Sequence, residues 1–232
     1  MESNNYLKKI QEKILKVFHS TTSDIVKSNF GDIVGIAFPI AGITLNIVND
    51  IATNYNLYKL TYLLNNISTG NDLEKDLEKL LKYVEKSDEN AINVANLFRK
   101  TINAECPKVC AMYGMILGKH IKENDCFSQN ELIICRALVN ATELDLINFK
   151  LIMENYIDSS SSDNTISIPE DVDNYESITS TRDWCLYNRI FVSNIALKVD
   201  DNGSGTFYND YHITEPAKLL MKYITALPPA NN

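Results

Sequence analysis

Residues 180–225 have the sequence STRDWCLYNRIFVSNIALKVDDNGSGTFYNDYHITEPAKLLMKYIT, and this stretch decides the fold of the C-terminal part of the chain. Apolar residues alternate with polar ones over 191–199 and 206–213, which predicts two β-strands. The segment between them, 200–205, is rich in Asp, Asn and Gly, the residues that accept the positive φ of a tight turn. We therefore predict a β-hairpin whose inward positions are Ile195, Leu197, Val199, Phe207, Tyr211 and Ile213.

Two helices are predicted to flank this hairpin. Ser180 with Asp183 has the spacing of a capping box and predicts a helix over 181–190. On the other side, Thr214 is an N-cap residue, and Pro216 follows at a position where a helix needs no amide donor. The order is thus helix, hairpin, helix.

Two further capping boxes lie upstream of the first of these helices. They pair Ser128 with Glu131 and Thr142 with Asp145, each time with a hydroxyl three residues before a carboxylate. They predict helices over 129–139 and 143–157. Both predicted helices precede an unusual segment of the chain.

The segment 158–178 contains six acidic residues, four consecutive Ser residues and no Lys or Arg. A polar, single-sign segment buries too little apolar surface to become ordered. We predict a flexible acidic loop within a domain.

Helix, helix, helix, hairpin and helix in this order resemble a winged-helix domain. The residues Tyr211–Ala217 resemble the ending of that fold, in which a strand runs into a Thr-capped helix. The 21-residue acidic loop before the third helix departs from the short turn usual there. The resemblance implies a winged-helix-like domain over 126–232, interrupted by loop 158–178.

The N-terminal part, residues 1–125, is predicted to be a helical bundle. Apolar residues at three- and four-residue spacing predict helices. An amphipathic helix is expected over 2–28. Further helices are expected over 54–68, 72–86, 88–104 and 108–122. The fold class predicted for the whole chain is therefore mostly α, with one β-hairpin.

Residues 33–48, IVGIAFPIAGITLNIV, have no charge over 16 positions. A helix apolar on all sides has to be buried in protein or in lipid, and this run is shorter than the ~20 residues that span a bilayer. Burial in the core is favoured, and insertion into a membrane is the alternative. The candidate core or membrane residues are Ile36, Phe38, Pro39, Ile40 and Ile43.

Charge and composition exclude several classes of protein. The 22 basic and 30 acidic residues give a net charge of -8, unlike the basic balance of a general nucleic-acid binder. The N-terminus lacks the apolar stretch and cleavage site of a secretory signal. We expect a cytoplasmic protein, with membrane association through 33–48 as the alternative.

Residues with catalytic or ligating chemistry are scattered. Cys106, Cys110, His120 and Cys126 offer one loose Cys pair, whereas a zinc site usually needs two tight pairs. The chain contains no HExxH, no Gly-rich phosphate loop and no G-x-S-x-G. We therefore predict no metal, no cofactor and no enzymatic activity.

The predicted third helix and hairpin carry the candidate binding residues. These residues are Arg182, Trp184, Arg189 and Lys198. Residues 180–225 contain five basic and five acidic residues, so the phosphate contacts that dominate DNA affinity would be weak. Contact with an unknown protein partner is favoured, and DNA binding by a transcriptional regulator is an alternative. Self-association into a homo-oligomer stays open.

The full layout is similar to that of the Abi-alpha-like abortive-infection proteins of bacteria. The resemblance rests on the apolar segment from Gly35 to Gly42 and on the region from Ile195 to Leu220. It implies an interaction or sensor protein in defence against phage or in mobile-element conflict. It also implies, as an alternative, a membrane-perturbing effector acting through 33–48.

Overall fold

A computed structural model describes residues 51–67, 73–158, 165–199 and 205–227. The helices are α1 (Ile51–Ile67), α2 (Leu73–Val84), α3 (Asp88–Asn103), α4 (Pro107–Glu123), α5 (Gln129–Ala137), α6 (Glu143–Asn155), α7 (Tyr175–Tyr187) and α8 (Glu215–Ala226). The strands are β1 (Ile157–Asp158), β2 (Thr165–Ile166), β3 (Phe191–Val199) and β4 (Gly205–Ile213). The described residues are mostly helical with a small antiparallel sheet, which confirms the predicted class at that level.

The chain divides into two compact units, Met1–Phe127 and Ser128–Asn232, called unit 1 and unit 2 below. The predicted helix 2–28 and the charge-free segment 33–48 lie outside the described residues. The core or membrane role assigned to Ile36, Phe38, Pro39, Ile40 and Ile43 therefore stays a prediction.

In unit 1, α4 lies unusually close to α1 because Gly114 and Gly118 face it. A Cβ atom added at Gly114 would overlap the carbonyl oxygen of Leu63 and lie 2.8 Å from the Cβ of Asn66. One added at Gly118 would overlap the carbonyl oxygen of Ile67. Glycine at this four-residue spacing is what allows the two helix backbones to approach so closely.

The side chain of Lys59, a residue of α1, is buried against the end of α3. The Nζ of Lys59 donates a 2.7 Å hydrogen bond to the carbonyl oxygen of Ile102 and lies 4.5 Å from the centre of the Tyr55 ring. Burial lowers the pKa of Lys59. Its ammonium satisfies a last-turn carbonyl of α3, which a helix cannot pair internally.

In unit 2, the capping box of α5 is also a core feature. The carboxylate of Glu131 accepts hydrogen bonds from the backbone N–H of Ser128 (2.8 Å) and from its hydroxyl (2.7 Å). Its second oxygen accepts one from the hydroxyl of Tyr223 on α8 (3.3 Å). Glu131 has no exposed surface. The predicted box is confirmed, and it also joins the first and last helices of this unit.

The capping box of α6 is confirmed as well, and it extends to α7. The carboxylate of Asp145 accepts from the backbone and hydroxyl of Thr142 and, through its other oxygen, from the hydroxyl of Thr181 (3.1 Å). The amide of Asn148 donates to that same Thr181 hydroxyl and to both oxygens of Ser177. These bonds fix α6 against α7.

The four strands form one sheet in the order β1-β2-β4-β3, with all neighbours antiparallel. The predicted hairpin is confirmed, with Phe191 opposite Ile213 at its base and Val199 opposite Gly205 at its tip. The Phe191 ring stacks on Phe149 of α6 with centroids 5.8 Å apart. This contact attaches the base of the hairpin to the helices.

The prediction of a flexible loop over 158–178 is wrong where β1, β2 and α7 enter this segment. Thr165 and Ile166 form β2, which pairs with His212 and Tyr211 of β4. Ile166 is buried. The partner strand supplies the hydrogen bonds and the core contact that the acidic composition does not reveal.

The predicted start of the third helix is also wrong. The helix runs from Tyr175 to Tyr187, after Asn174 with a left-handed φ of 61°, whereas the sequence predicts a helix over 181–190 with Ser180 as its N-cap. Ile178, Thr181 and Cys185 are its buried residues. Their three- and four-residue spacing carries the helix back into the acidic segment, because it continues the apolar face that packs on the core.

The inward orientation predicted for Ile195 is wrong. Along β3, the exposed fraction rises from 1% at Phe191 to 76% at Ile195. The alternating pattern specifies which residues share a face of the strand, but it does not specify how far the core extends beneath that face. The hairpin runs past the part of the core that Phe191 fills.

We expect Gly114→Ala to lower the free energy of unfolding by about 1–3 kcal/mol, because the new methyl group forces α1 and α4 apart. Ala is the better helix former, so an unstrained site would respond in the opposite direction. Urea denaturation followed by circular dichroism measures the difference. Lys122→Ala, at an exposed position of α4, is the control. Unchanged or increased stability of Gly114→Ala would contradict the close approach.

Glu131→Ala should lower the free energy of unfolding of unit 2 by about 2 kcal/mol or more, because it removes the buried carboxylate that accepts from the Ser128 N–H and from the Tyr223 hydroxyl. Removing the exposed carboxylate of Glu154 with Glu154→Ala should change stability by about 0.5 kcal/mol or less. The two variants are compared by the same denaturation experiment. Equal effects would show that Glu131 does not tie α5 to α8.

Candidate protein-binding surface

The four predicted site residues lie on consecutive elements of unit 2 but do not form one cluster of free charges. Arg182 and Trp184 are on α7, and Arg189 is in the turn between α7 and β3. Lys198 lies on β3 opposite Thr206, and its side chain is not among those described. The description of the site therefore rests on the other three residues and their neighbours.

The guanidinium of Arg182 is engaged within the protein. Its Nε and Nη2 both donate to the same carboxylate oxygen of Asp183, at 3.0 and 2.8 Å. The guanidinium also lies 4.6 Å from the centre of the Tyr211 ring. A carboxylate and an aromatic face thus already satisfy this cation, and a phosphate would have to displace the carboxylate.

Trp184 is half-buried and contributes mainly packing. Its Nε1 is shielded from solvent and has no hydrogen-bond partner among the residues that the structure describes. Its carbonyl oxygen accepts from the backbone N–H and the side-chain amide of Asn188. These bonds help to end α7 at Tyr187, two residues before Arg189.

Arg189 is exposed in a left-handed turn, with φ of 61°. The N–H of Ile190 donates back to Cys185 at 2.8 Å. The hydroxyl of Thr214 donates to the Ile190 carbonyl at 2.6 Å. This bonding turns the chain sharply from α7 into β3 and presents Arg189 to solvent.

Sequence reasoning missed the most exposed apolar residues of this region. Tyr187 at the end of α7 is 89% exposed, and Val192 and Ile195 on β3 are exposed too. A signal for Tyr187 was present, because position 187 is out of phase with Ile178, Thr181 and Cys185 on a 3.6-residue helix. We call Tyr187, Arg189, Val192 and Ile195, the exposed residues where α7 passes into β3, the α7–β3 surface. Val192 and Ile195 lie on opposite faces of the strand, because their positions differ by an odd number.

The α7–β3 surface combines one aromatic, one cationic and two aliphatic side chains. It contains no carboxylate, imidazole or thiol side chain. Tyr and Arg are the residue types that contribute most to protein–protein binding energy. The chemistry of this surface suits contact with another protein.

The residues considered for zinc do not converge. The thiol of Cys110 donates to the carbonyl oxygen of Cys106 at 3.6 Å, and Nδ1 of His120 lies 2.5 Å from a carboxylate oxygen of Asp125. In the described ranges, no group of three or more His, Cys, Asp or Glu side chains is placed to hold a metal ion. All five cysteines are free.

The helices described here were also tested for membrane crossing. Within residues 51–227, apart from the gaps given above, no helix is long and apolar enough to cross a bilayer.

Comparisons with known proteins gave no relative: no family model matches the chain, and neither a curated protein nor a solved structure matches it. The resemblances to winged-helix domains and to Abi-alpha-like proteins therefore stay expectations from the sequence.

Thiol alkylation of the native protein should modify Cys126 alone. Cys126 is exposed, whereas the other four cysteines are buried. Burial raises the pKa of Cys110 to about 12 and that of Cys185 well above its usual value, so both stay as unreactive thiols at mildly alkaline pH. Intact mass after iodoacetamide treatment should show one added group, which Cys126→Ser removes. A second rapid addition to the native protein would contradict this packing.

Proposed function

We propose that unit 2 is a winged-helix-like domain that binds another protein and has no enzymatic activity of its own. The order of its elements supports this proposal: α5, α6 and α7 precede the β3–β4 hairpin, and α8 follows with Thr214 as its cap. The domain would present the end of its third helix and the start of its hairpin to the partner.

The exposure of Tyr187 is the observation on which the proposal depends. An aromatic ring that is 89% exposed leaves a large apolar surface in water, and burying it against a partner is favourable. Arg189 stands two residues away in an exposed turn and can supply charge-assisted hydrogen bonds to the same partner. Val192 and Ile195 add one exposed aliphatic side chain on each face of β3.

DNA binding is the competing use of such a domain, and the local charges argue against it. Arg182 forms an ion pair with Asp183. Among the predicted cations whose side chains the structure describes, Arg189 is the exposed one. Phosphate neutralisation by several Lys and Arg side chains is the main source of protein–DNA affinity. A nearly neutral surface therefore supports protein contact better than DNA contact.

The test compares partner capture by the full chain and by surface variants. Tagged wild type, Tyr187→Ala and Ile195→Ser are used to capture crosslinked proteins from the native cells, with quantitative mass spectrometry. We expect Tyr187→Ala to reduce recovery of a specific partner about tenfold or more, because an interface aromatic is removed. Ile92→Ser, at an exposed isoleucine of unit 1, should retain the partner.

Two outcomes would overturn the proposal. The first is equal recovery of every partner by wild type and Tyr187→Ala, since the α7–β3 surface would then be irrelevant. The second is salt-dependent, sequence-selective DNA binding that is lost in Arg189→Ala, which would make the protein a DNA-binding regulator.

The setting of this interaction is taken from the sequence resemblance alone. We propose a bacterial interaction or sensor protein in phage defence, and its test is plating of phage on cells with the wild-type protein or with Tyr187→Ala. Loss of protection in the variant would link the surface to defence. The membrane-effector alternative depends on 33–48, outside the described residues, and it stays a prediction.

A further inference from the structure

Helix α6 has two apolar sides, and one of them is exposed in the part of the chain that the structure describes. Leu146, Phe149 and Ile152 are buried in the core of unit 2. On another side of the helix, Leu144 is 55% exposed, Ile147 is 54% exposed and Leu151 is half-buried. We call Leu144, Ile147 and Leu151 the outer stripe.

The outer stripe has the spacing of a helix–helix seam. Its residues occur at i, i+3 and i+7, the positions a, d and a of a heptad. An ordinary surface helix has one apolar face and one charged face. The second apolar side of α6 is therefore a feature that folding of unit 2 does not require.

A charged row borders the outer stripe. Glu143 directly precedes Leu144, and Lys150 directly precedes Leu151. The two charged residues are therefore seven positions apart. Seven residues are nearly two helical turns, so both side chains lie along the same border. Lys150 is half-exposed and lies 3.7 Å from Glu154 on the same helix. The border thus carries charges of both signs.

We propose that the outer stripe binds the same stripe of a second copy of this chain, with the two α6 helices antiparallel about a twofold axis. In that arrangement Leu144 of each copy packs against Ile147 of the other. The bordering positions then bring Glu143 of each copy close to Lys150 of the other. The twofold axis makes both the apolar contact and the ion pair occur twice.

Charge complementarity is the reason for choosing a second copy as the occupant. An antiparallel copy places an opposite charge beside both Glu143 and Lys150. A partner helix with charges of one sign would repel one of these two residues. The outer stripe is short, since α6 has 13 residues. The dimer is therefore expected to be weak and to form in a concentration-dependent way.

This inference does not rest on the proposed function. The outer stripe and the α7–β3 surface share no residue. Tyr187→Ala should leave self-association unchanged, and Ile147→Ser should leave an intact α7–β3 surface. Failure of one proposal is therefore distinguishable from failure of the other.

The first test is sedimentation velocity of the full chain over a concentration series from about 10 µM to about 1 mM. Wild type should pass from monomer to dimer, and Ile147→Ser should raise the dissociation constant about tenfold or more. Ile92→Ser is the matched control, because it makes the same change at an exposed isoleucine of unit 1. Thermal unfolding by circular dichroism verifies that each variant is folded.

The second test is a charge exchange across the proposed twofold axis. Lys150→Glu and Glu143→Lys should each weaken the dimer several-fold, and the double variant should recover most of the wild-type dissociation constant. Recovery would support the antiparallel pairing, since only the exchanged pair restores opposite charges in both copies.

Three results would overturn the proposal. One is a wild-type protein that stays monomeric over the whole series. Another is a dimer that Ile147→Ser does not weaken. The last is a double charge variant whose dimer is weaker than the dimer of either single variant. That result would exclude contact between Glu143 and Lys150 of the two copies.

Discussion

Unit 2 depends on one buried carboxylate, that of Glu131. Its oxygens accept hydrogen bonds from Ser128, the N-cap of α5, and from Tyr223 near the end of α8, which is 92 positions from Glu131 in the chain. A carboxylate without exposed surface is stable only when its oxygens are paired, so both helices have to be in place together. All the other elements of unit 2 lie between these two helices in sequence. Glu131 thereby joins the first and the last helix of the unit.

The binding surfaces follow from how this unit divides its helices between core and solvent. One side of α7 supplies Ile178, Thr181 and Cys185 to the interior, and the helix ends with Tyr187 in water. One side of α6 is tied to α7 through Asn148, while its outer stripe is exposed. Hydrogen bonds between side chains thus join α6 to α7, and apolar side chains of both helices remain exposed.

The candidate site was only partly predictable from the sequence. Arg182 and Arg189 were both identified as cations on the third helix or its end, but Asp183 and Tyr211 engage one of them and leave the other exposed. Which cation is free depends on the direction in which each side chain leaves the backbone and on the strand that packs beside it. The exposure of Tyr187, by contrast, follows from its helical phase relative to Ile178, Thr181 and Cys185, so the sequence did contain a signal for it.

Local patterns alone determined most of the secondary structure. The capping boxes at Ser128 and Thr142, the N-cap at Thr214 and the hairpin predicted both element type and position, because each is an interaction between residues only a few positions apart. Only the tertiary structure decided the features that depend on distant residues. The pairing of β2 with β4 ordered part of an acidic segment, and the carbonyl oxygens of Leu63 and Ile67 made two glycines of α4 necessary. Contacts between distant parts of the chain leave no local pattern, and the burial of a residue depends on what packs over it.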